Sequence, residues 1–497
     1  MTYPAVIFWL VAIWALFARG PAIYLLFFIS WSFGTLAVIP TQAVGGISIM
    51  PPWISAAVLS VKVVLDVGPR VYLGALFDYR RFGFLTLCTL YAVVSALLLP
   101  RIFAGQLDVI TMRLVAVAAP TALGPTPSNF IQALYFILTS LTVVNIYFVA
   151  CDPVRRHQLL VAFGWGGAVA VITGLVDLLA SKAGLTGLLL PYRTSAYVLM
   201  VDGEVGDMKR VVGLMSEASA YAALCLSFLA PIAITPDRRQ AAPWGGWRVP
   251  LAALLTLLTY LSTSSGGYVA LVSVVLVVLV GIAGGMFDSR ERAWLAAYWV
   301  MMLVVAAICV AVLRPDVVAT VAKLVDAVVI HKAHTSSYVE RSMWNRVAYE
   351  AFLHSHGLGA GIGCCRSSSW VFAVLSNIGA PGAILMSVFM ARVFLSRGAD
   401  TEDSGLMRMV KLSLLPNLFV ISLTSPSVGF GLGAAWLFGL GAALAWPLAV
   451  SVETGAAAPP RAHPAFLPPL SPDLAPNSPM GSTLGRDPVG RPGGAGA

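Results

Sequence analysis

Long, nearly uninterrupted apolar runs are the feature that most constrains this chain. They recur from the N-terminus to about residue 450, and Asp, Glu, Lys and Arg make up only 11% of the 497 residues. A soluble globular protein carries about 25% charged residues, so this chain cannot cover a water-facing surface of its size. Soluble enzymes, disordered chains and secreted disulfide scaffolds are therefore excluded.

The runs are continuous rather than alternating, which favours membrane helices over barrel strands. We predict an all-α, polytopic inner-membrane bundle of about 12–13 transmembrane helices, at about 20 residues per span. The exact number depends on the first run, which is short and which we expect to remain uncleaved. The predicted spans are 5–18, 22–40, 51–66, 83–99, 130–150, 159–181, 213–235, 249–263, 267–287, 293–313, 369–395, 410–424 and 428–450.

Basic residues are concentrated in alternate short loops, whereas loops 41–50, 264–266 and 425–427 contain no Lys or Arg. Because cytoplasmic loops carry the excess of Lys and Arg, we place the basic loops and the C-terminus in the cytoplasm. The net charge of +9 then reflects orientation, and no nucleic-acid partner is expected. The basic set comprises Arg70, Arg80, Arg81, Arg155, Arg156, Arg238, Arg239, Arg248, Arg290, Arg292, Arg397, Arg408 and Lys411.

The chain divides into a membrane domain, 1–453, and a C-terminal tail, 454–497. The tail holds ten prolines in 44 positions, which predicts a disordered cytoplasmic segment. Three long connections, 100–129, 182–212 and 314–368, fall on the opposite, extracytoplasmic face. The longest of them precedes the last three spans and contains two stretches with a helical pattern, at 319–327 and 341–352.

One candidate site lies where the second long loop enters a predicted span. Arg210 and Glu217 are seven residues apart, so they would lie near one face if the segment were helical. A carboxylate inside a span is costly unless it faces a cavity or a partner. The alternative is that Arg210 anchors at the lipid headgroups and that Glu217 pairs with it or with a neighbouring helix.

A second candidate site is the helical stretch around Arg341 and Trp344, which share a face by their i, i+3 spacing. The planar donors of arginine suit a pyrophosphate, and tryptophan offers a flat surface for a sugar. Two histidines, His354 and His356, follow this stretch. The alternative is an amphipathic helix that rests on the membrane surface.

A third candidate site is a glycine-rich run, 357–363, that leads to Arg366 and Ser368. Alternate glycines let a backbone approach a ligand closely, and a helix beginning near 367–369 would offer free N–H groups to a phosphate. A flexible loop before a span is the alternative. Because all three sites lie on one face and each offers an arginine, together they predict an extracytoplasmic cavity for a lipid pyrophosphate.

The order of these elements resembles the O-antigen ligase and Wzy-type polysaccharide polymerase superfamily. The resemblance rests on Arg210, Gly213 and Glu217, on the outer-loop series from Arg341 to Gly363, and on the Asn377–Gly382 segment of the next span. It implies a helical inner-membrane glycosyltransferase that polymerises glycans carried by undecaprenyl pyrophosphate. It implies no metal, cofactor or nucleotide sugar. Membrane lipid, a chain-length regulator and a flippase are the further partners that it suggests.

One departure favours the exopolysaccharide polymerases of this superfamily. Ligases of the superfamily carry His-Asn where this chain has Ser368 and Ser369, which leaves O-antigen ligation as an alternative. The general base is open between Glu217, His354 and His356. A different class, a transporter or flippase of lipid-linked glycan, would place its charges near the bilayer midplane and show internal repeats, which the sequence does not display.

Overall fold

The computed structural model describes residues 1–44, 47–112, 119–196, 199–201, 204–205, 208–235, 244–287, 298, 336–398 and 401–447. This part of the chain is mostly helical. The helices are α1 (Tyr3–Phe17), α2 (Ala22–Ser30), α3 (Pro51–Val67), α4 (Pro69–Phe77), α5 (Gly83–Ile102), α6 (Pro127–Ala150), α7 (Pro153–Lys182), α8 (Ala218–Ile234), α9 (Arg248–Leu261), α10 (Ser265–Ala283), α11 (Ser336–His354), α12 (Trp370–Leu395), α13 (Thr401–Thr424) and α14 (Gly431–Ala445).

Short 3-10 turns and two small antiparallel strand pairs complete the regular structure of the described residues. Strand β1 (Asp108–Val109) pairs with β2 (Thr121–Ala122), and β3 (Glu204–Val205) pairs with β4 (Met208–Lys209). The 3-10 turns are Thr41–Val44, Thr186–Tyr192 and Gly245–Trp247.

Within the part of the chain that the structure describes, six helices, α5, α6, α7, α10, α12 and α13, are long and apolar enough to cross a membrane. Four further apolar helices, α1, α8, α9 and α14, are shorter. The all-α class is thus confirmed, and the six helices indicate a multi-pass membrane protein. The count of 12–13 spans stays a prediction, because the predicted span 293–313, the predicted helix 319–327 and the predicted tail 454–497 lie outside the described residues.

The predicted span 22–40 is wrong as a continuous helix. α2 ends at Ser30 after nine residues, about 14 Å at 1.5 Å per residue, which is half of a bilayer core. The chain then turns, and the Thr35 N–H donates to the Leu214 carbonyl at 3.1 Å while the Thr35 carbonyl accepts from the Thr194 N–H at 3.0 Å. An unbroken apolar run predicts burial, but it does not distinguish a helix from a buried turn or extended segment.

One end of the bundle gathers basic residues from α7 and α12. Arg155, in the first turn of α7, lies 3.2 Å from the Asp66 carboxylate near the end of α3. Arg156 lies 2.9 Å from the carboxylate of Asp403 in α13. Arg392, near the end of α12, donates to two carbonyls of the loop between α4 and α5. We call the end defined by these five residues the basic end.

The other end of α12 and α13 carries the candidate site residues. The Ser369 hydroxyl, which precedes α12, donates to the Ser422 carbonyl in the last turn of α13 at 2.6 Å. The Trp370 indole donates to the Val428 carbonyl, just before α14, at 2.8 Å. We call the end defined by these four residues the site end. α12 connects the two ends and is 26 residues long, from Trp370 to Leu395.

Candidate functional site

Arg366 and Trp344 form a stacked pair at the site end. The guanidinium carbon of Arg366 lies 3.9 Å from the centroid of the Trp344 ring, well within the range of a cation–π interaction. Trp344 belongs to α11, and Arg366 belongs to the loop that joins α11 to α12. Within the described residues, neither the guanidinium of Arg366 nor the buried indole N–H of Trp344 has a hydrogen-bond acceptor. Of the two, the partly exposed guanidinium of Arg366 is the group that a ligand could reach.

The charges around Arg366 are mixed. The pKa of Arg366 is lowered, mainly by burial. The opposite charge of Glu340 raises this pKa, and the like charge of Arg341 lowers it. Glu217, also of opposite charge, raises it. Arginine stays protonated nonetheless, because its ordinary pKa lies far above the physiological pH range. The structure thus places Glu217, Arg341 and Trp344 in the surroundings of Arg366, and it adds Glu340, which the sequence reasoning left out.

The loop that carries Arg366 is clamped to α12. Asn377 is fully buried, and its Oδ1 accepts the backbone N–H groups of Gly363 at 2.9 Å and Cys365 at 3.2 Å. Its Nδ2 donates back to the Cys365 carbonyl at 3.0 Å. The helix is kinked two residues later, at Gly379 (φ 61°, ψ −167°), where the Ala380 N–H donates to the Gly357 carbonyl at 2.8 Å. These bonds fix the position of the loop and hence of Arg366.

Two glycines of this loop, Gly361 and Gly363, serve close packing within the protein, and the approach of a ligand to the loop backbone stays a prediction. A Cβ atom at Gly361 would lie 2.7 Å from the Ser95 carbonyl oxygen of α5. A Cβ atom at Gly363 would lie 2.7 Å from the Ser128 carbonyl oxygen of α6. Both positions also have positive φ, which glycine adopts at little cost.

Ser368 is buried and ties the loop to α11. Its backbone N–H donates to Asn345 Oδ1 at 2.9 Å, and its hydroxyl lies 3.2 Å from the same oxygen and 3.3 Å from the Arg341 carbonyl. The predicted helix start is confirmed, since α12 begins directly after Ser369, whose side chain forms no cap. The first-turn N–H groups of α12 therefore lie close to Arg366 in sequence and have no side-chain cap.

The segment 210–217 is not helical, so Arg210 and Glu217 do not share a helical face. The buried carboxylate of Asp177 accepts the N–H groups of Val212 at 2.9 Å and Gly213 at 3.0 Å. These bonds hold the segment in a turn, and Gly213 has a φ of 59° that favours glycine.

Asp177 itself is a residue that sequence reasoning undervalued. It is 1% exposed and lies 2.9 Å from the guanidinium of Arg193 and 3.4 Å from the ammonium of Lys209. The sequence shows one carboxylate inside a predicted span and two basic residues, Arg193 and Lys209, in the next loop. Their pairing depends on the path of the loop, which the sequence does not indicate.

Arg210 binds the hairpin between α9 and α10. Its guanidinium donates to the carbonyls of Ser262 at 3.3 Å and Thr263 at 3.4 Å. This hairpin borders the end of α13, because a Cβ atom at Gly266 would lie 3.5 Å from the Thr424 methyl carbon. Arg210 therefore belongs to the site end, but its donors are partly used by the protein.

The three candidate bases occupy different places. Glu217 is half-buried, precedes α8 and accepts a hydrogen bond from the Ser219 hydroxyl. His354 is the last residue of α11, and His356 follows it with a φ of 53°; both are exposed. His354 follows Trp344 by ten residues, which is about 15 Å along a helix axis. Glu217 is therefore the candidate that the structure associates with Arg366.

A cavity of about 380 Å³ lies next to the segment that precedes Glu217. Met215 and Ser216, directly before Glu217, line one side of it, and Ile362 of the glycine-rich loop also contributes. Most of the remaining lining is aromatic or aliphatic. No family model and no curated protein matches this sequence.

Proposed function

We propose that this protein is a membrane glycosyltransferase that polymerises undecaprenyl-pyrophosphate-linked oligosaccharide repeat units into exopolysaccharide or O-antigen. The active face would be the periplasmic side of the bacterial inner membrane, with the basic end in the cytoplasm. The observation that carries the proposal is the half-buried guanidinium of Arg366, which lies on Trp344 with no hydrogen-bond acceptor among the described residues. A cation that is partly removed from water without a partner is stabilised by an anionic ligand.

The reaction needs little from the protein beyond positioning, charge and one base. A hydroxyl of one repeat unit attacks the anomeric carbon of the growing glycan, and the new C–O bond replaces the bond to the lipid pyrophosphate. The leaving pyrophosphate departs with the electron pair, and Arg366 and Arg341 offset its growing negative charge. The uncapped N–H groups at the start of α12 add a partial positive charge of the same kind.

Glu217 is our proposed general base for the attacking hydroxyl. Its carboxylate lies near enough to influence the pKa of Arg366, and the Ser219 hydroxyl orients one of its oxygens. A base in this role contributes about 10²–10⁴-fold to a rate. Ser368 is more consistent with a polymerase than with a ligase. It occupies the position of the ligase histidine, and its hydroxyl contacts Asn345.

The test compares Arg366→Gln with Arg155→Gln in a strain that lacks the chromosomal copy. We expect Arg366→Gln to reduce long-chain glycan by about 100-fold or more on a gel of lipid-linked glycans, as loss of a charge-stabilising donor does. Arg155→Gln removes an arginine of the basic end and should leave the chain-length distribution unchanged. Immunoblots of the membrane fraction control for the amount of each variant.

The place where repeat units accumulate separates the proposal from its rival. Single repeat units exposed on the periplasmic side of the Arg366→Gln strain support a polymerase. Units trapped on the cytoplasmic side would instead identify a flippase, and normal long chains would remove Arg366 from the mechanism.

A further inference from the structure

The cavity beside Glu217 has a lining without formal charge. No Asp, Glu, Lys, Arg or His belongs to the residues that line it. It lies between α2, α3, α6 and α14, near the ends of these helices at the site end. A volume of about 380 Å³ is in the range of small-molecule sites. An uncharged lining of this kind disfavours a phosphate and favours a neutral ligand.

One lining residue has an unused hydrogen-bond donor. Trp31 is 6% exposed, and its indole N–H is buried without an acceptor among the described residues. A buried donor without a partner costs about 1–3 kcal/mol. This N–H is buried away from the cavity space, so Trp31 lines the cavity with the rest of its ring.

Other lining residues supply the surfaces that a ring-shaped polar ligand requires. The amide of Gln132 forms no hydrogen bond with any described residue, so both its donors and its acceptor are available. Trp53 and Tyr135 stack on each other at 4.2 Å between ring centroids, which gives the wall a rigid aromatic block. Aromatic surface beside a few free polar groups suits a sugar ring, whose faces carry C–H bonds and whose rim carries hydroxyls.

We propose that this cavity is a subsite for a neutral sugar, with Gln132 as its hydrogen-bonding residue and Trp31 as part of its aromatic wall. The inference rests on the proposed function in one respect: the bound sugar would be that of the repeat unit whose hydroxyl reaches Glu217. Ser216 lines the cavity and directly precedes Glu217, which gives the bound unit a short path to the base.

The test uses the full-length protein labelled with fluorotryptophan in lipid nanodiscs and observed by fluorine NMR. The Trp31 signal is identified by its absence from Trp31→Phe, which keeps an aromatic ring against Phe27 and Phe28. The probes are maltose, hexadecane and inorganic pyrophosphate at millimolar concentrations. We expect maltose alone to move the Trp31 signal, while the signal of the exposed Trp165 on α7 stays in place.

Two variants sharpen the measurement. Gln132→Leu should raise the maltose concentration at half-shift about 2- to 10-fold, as the loss of one hydrogen bond does. Gln106→Leu is the matched control, because Gln106 is exposed and bonds only to the Ile102 carbonyl, so its half-shift concentration should not change. A Trp31 signal that moves with hexadecane or pyrophosphate but not with maltose, or with no probe, would overturn the sugar subsite. These signals require no turnover, so they can fail while the Arg366 test succeeds, or the reverse.

Discussion

The two ends of the bundle use arginine in opposite ways. At the basic end, Arg155 and Arg156 face carboxylates from other helices, and Arg392 donates to carbonyls. At the site end, Arg366 lies on an indole ring, and neither it nor Arg341 forms an ion pair within the described residues. Paired arginines join helices and fix orientation, whereas an unpaired and partly desolvated arginine is available to a ligand.

The energies explain why this difference indicates function. Exposed ion pairs such as Arg155–Asp66 contribute about 0–1 kcal/mol, so their loss is tolerated. A guanidinium taken out of water without a partner is a cost to the folded protein. The clamp of Asn377 on the loop holds Arg366 in that position, which is the expected arrangement for a preorganised anion site.

The largest contrast between the ends should come from their carboxylates. We expect Glu217→Gln to slow polymerisation about 10²–10⁴-fold, because the amide cannot accept the hydroxyl proton. Asp66→Asn at the basic end should change the rate less than twofold, since Asp66 is only an ion-pair partner. The measurement is the initial rate of chain extension with purified protein and defined lipid-linked repeats. Equal rates for the two variants would exclude Glu217 as the base.

A second contrast concerns stability. Asp177→Ala should destabilise the protein by about 3–5 kcal/mol, because Arg193 would keep a buried charge without its partner. Asp66→Ala removes an ion pair from a more exposed place and should cost about 0–1 kcal/mol. Thermal unfolding of both variants in detergent checks the order. A larger loss for Asp66→Ala would contradict the distinction between a buried anchor and a surface pair.

The sequence predicts the helical parts better than the loops that carry the site. Apolar runs locate most helices because burial in lipid requires about 20 apolar residues in a row. The same rule fails after Ser30, where the apolar run leaves the helix and the Thr35 N–H donates to the Leu214 carbonyl. Likewise, Arg366 and Trp344 are recognisable by residue type, but their stacking depends on Asn345 and Asn377, whose partners lie 12 or more residues away.

Glycines at the two ends should respond oppositely to alanine. Gly363→Ala requires a positive φ and brings a Cβ atom to 2.7 Å from the Ser128 carbonyl oxygen, so we expect a loss of about 1–3 kcal/mol and a displaced Arg366. Gly74→Ala, in α4, meets nothing within 4 Å and should stabilise by about 0.5–1 kcal/mol through helix propensity. Thermal unfolding and the chain-length gel test both variants. A neutral Gly363→Ala would mean that the loop does not depend on this packing.

The smallest effect should come from the two histidines that compete with Glu217 for the role of base. His354 and His356 are exposed, and neither imidazole forms a hydrogen bond within the described residues. About 15 Å of helix separates Trp344 from His354. A proton transfer needs a distance of about 2.6–3.2 Å or one bridging water, so His354 is too far from a substrate held at Trp344. We therefore expect the double variant His354→Ala, His356→Asn to keep its rate of chain extension within twofold, since asparagine tolerates the positive φ at the second position. A loss comparable to that of Glu217→Gln would move the base, and with it the reacting sugar, toward the far end of α11.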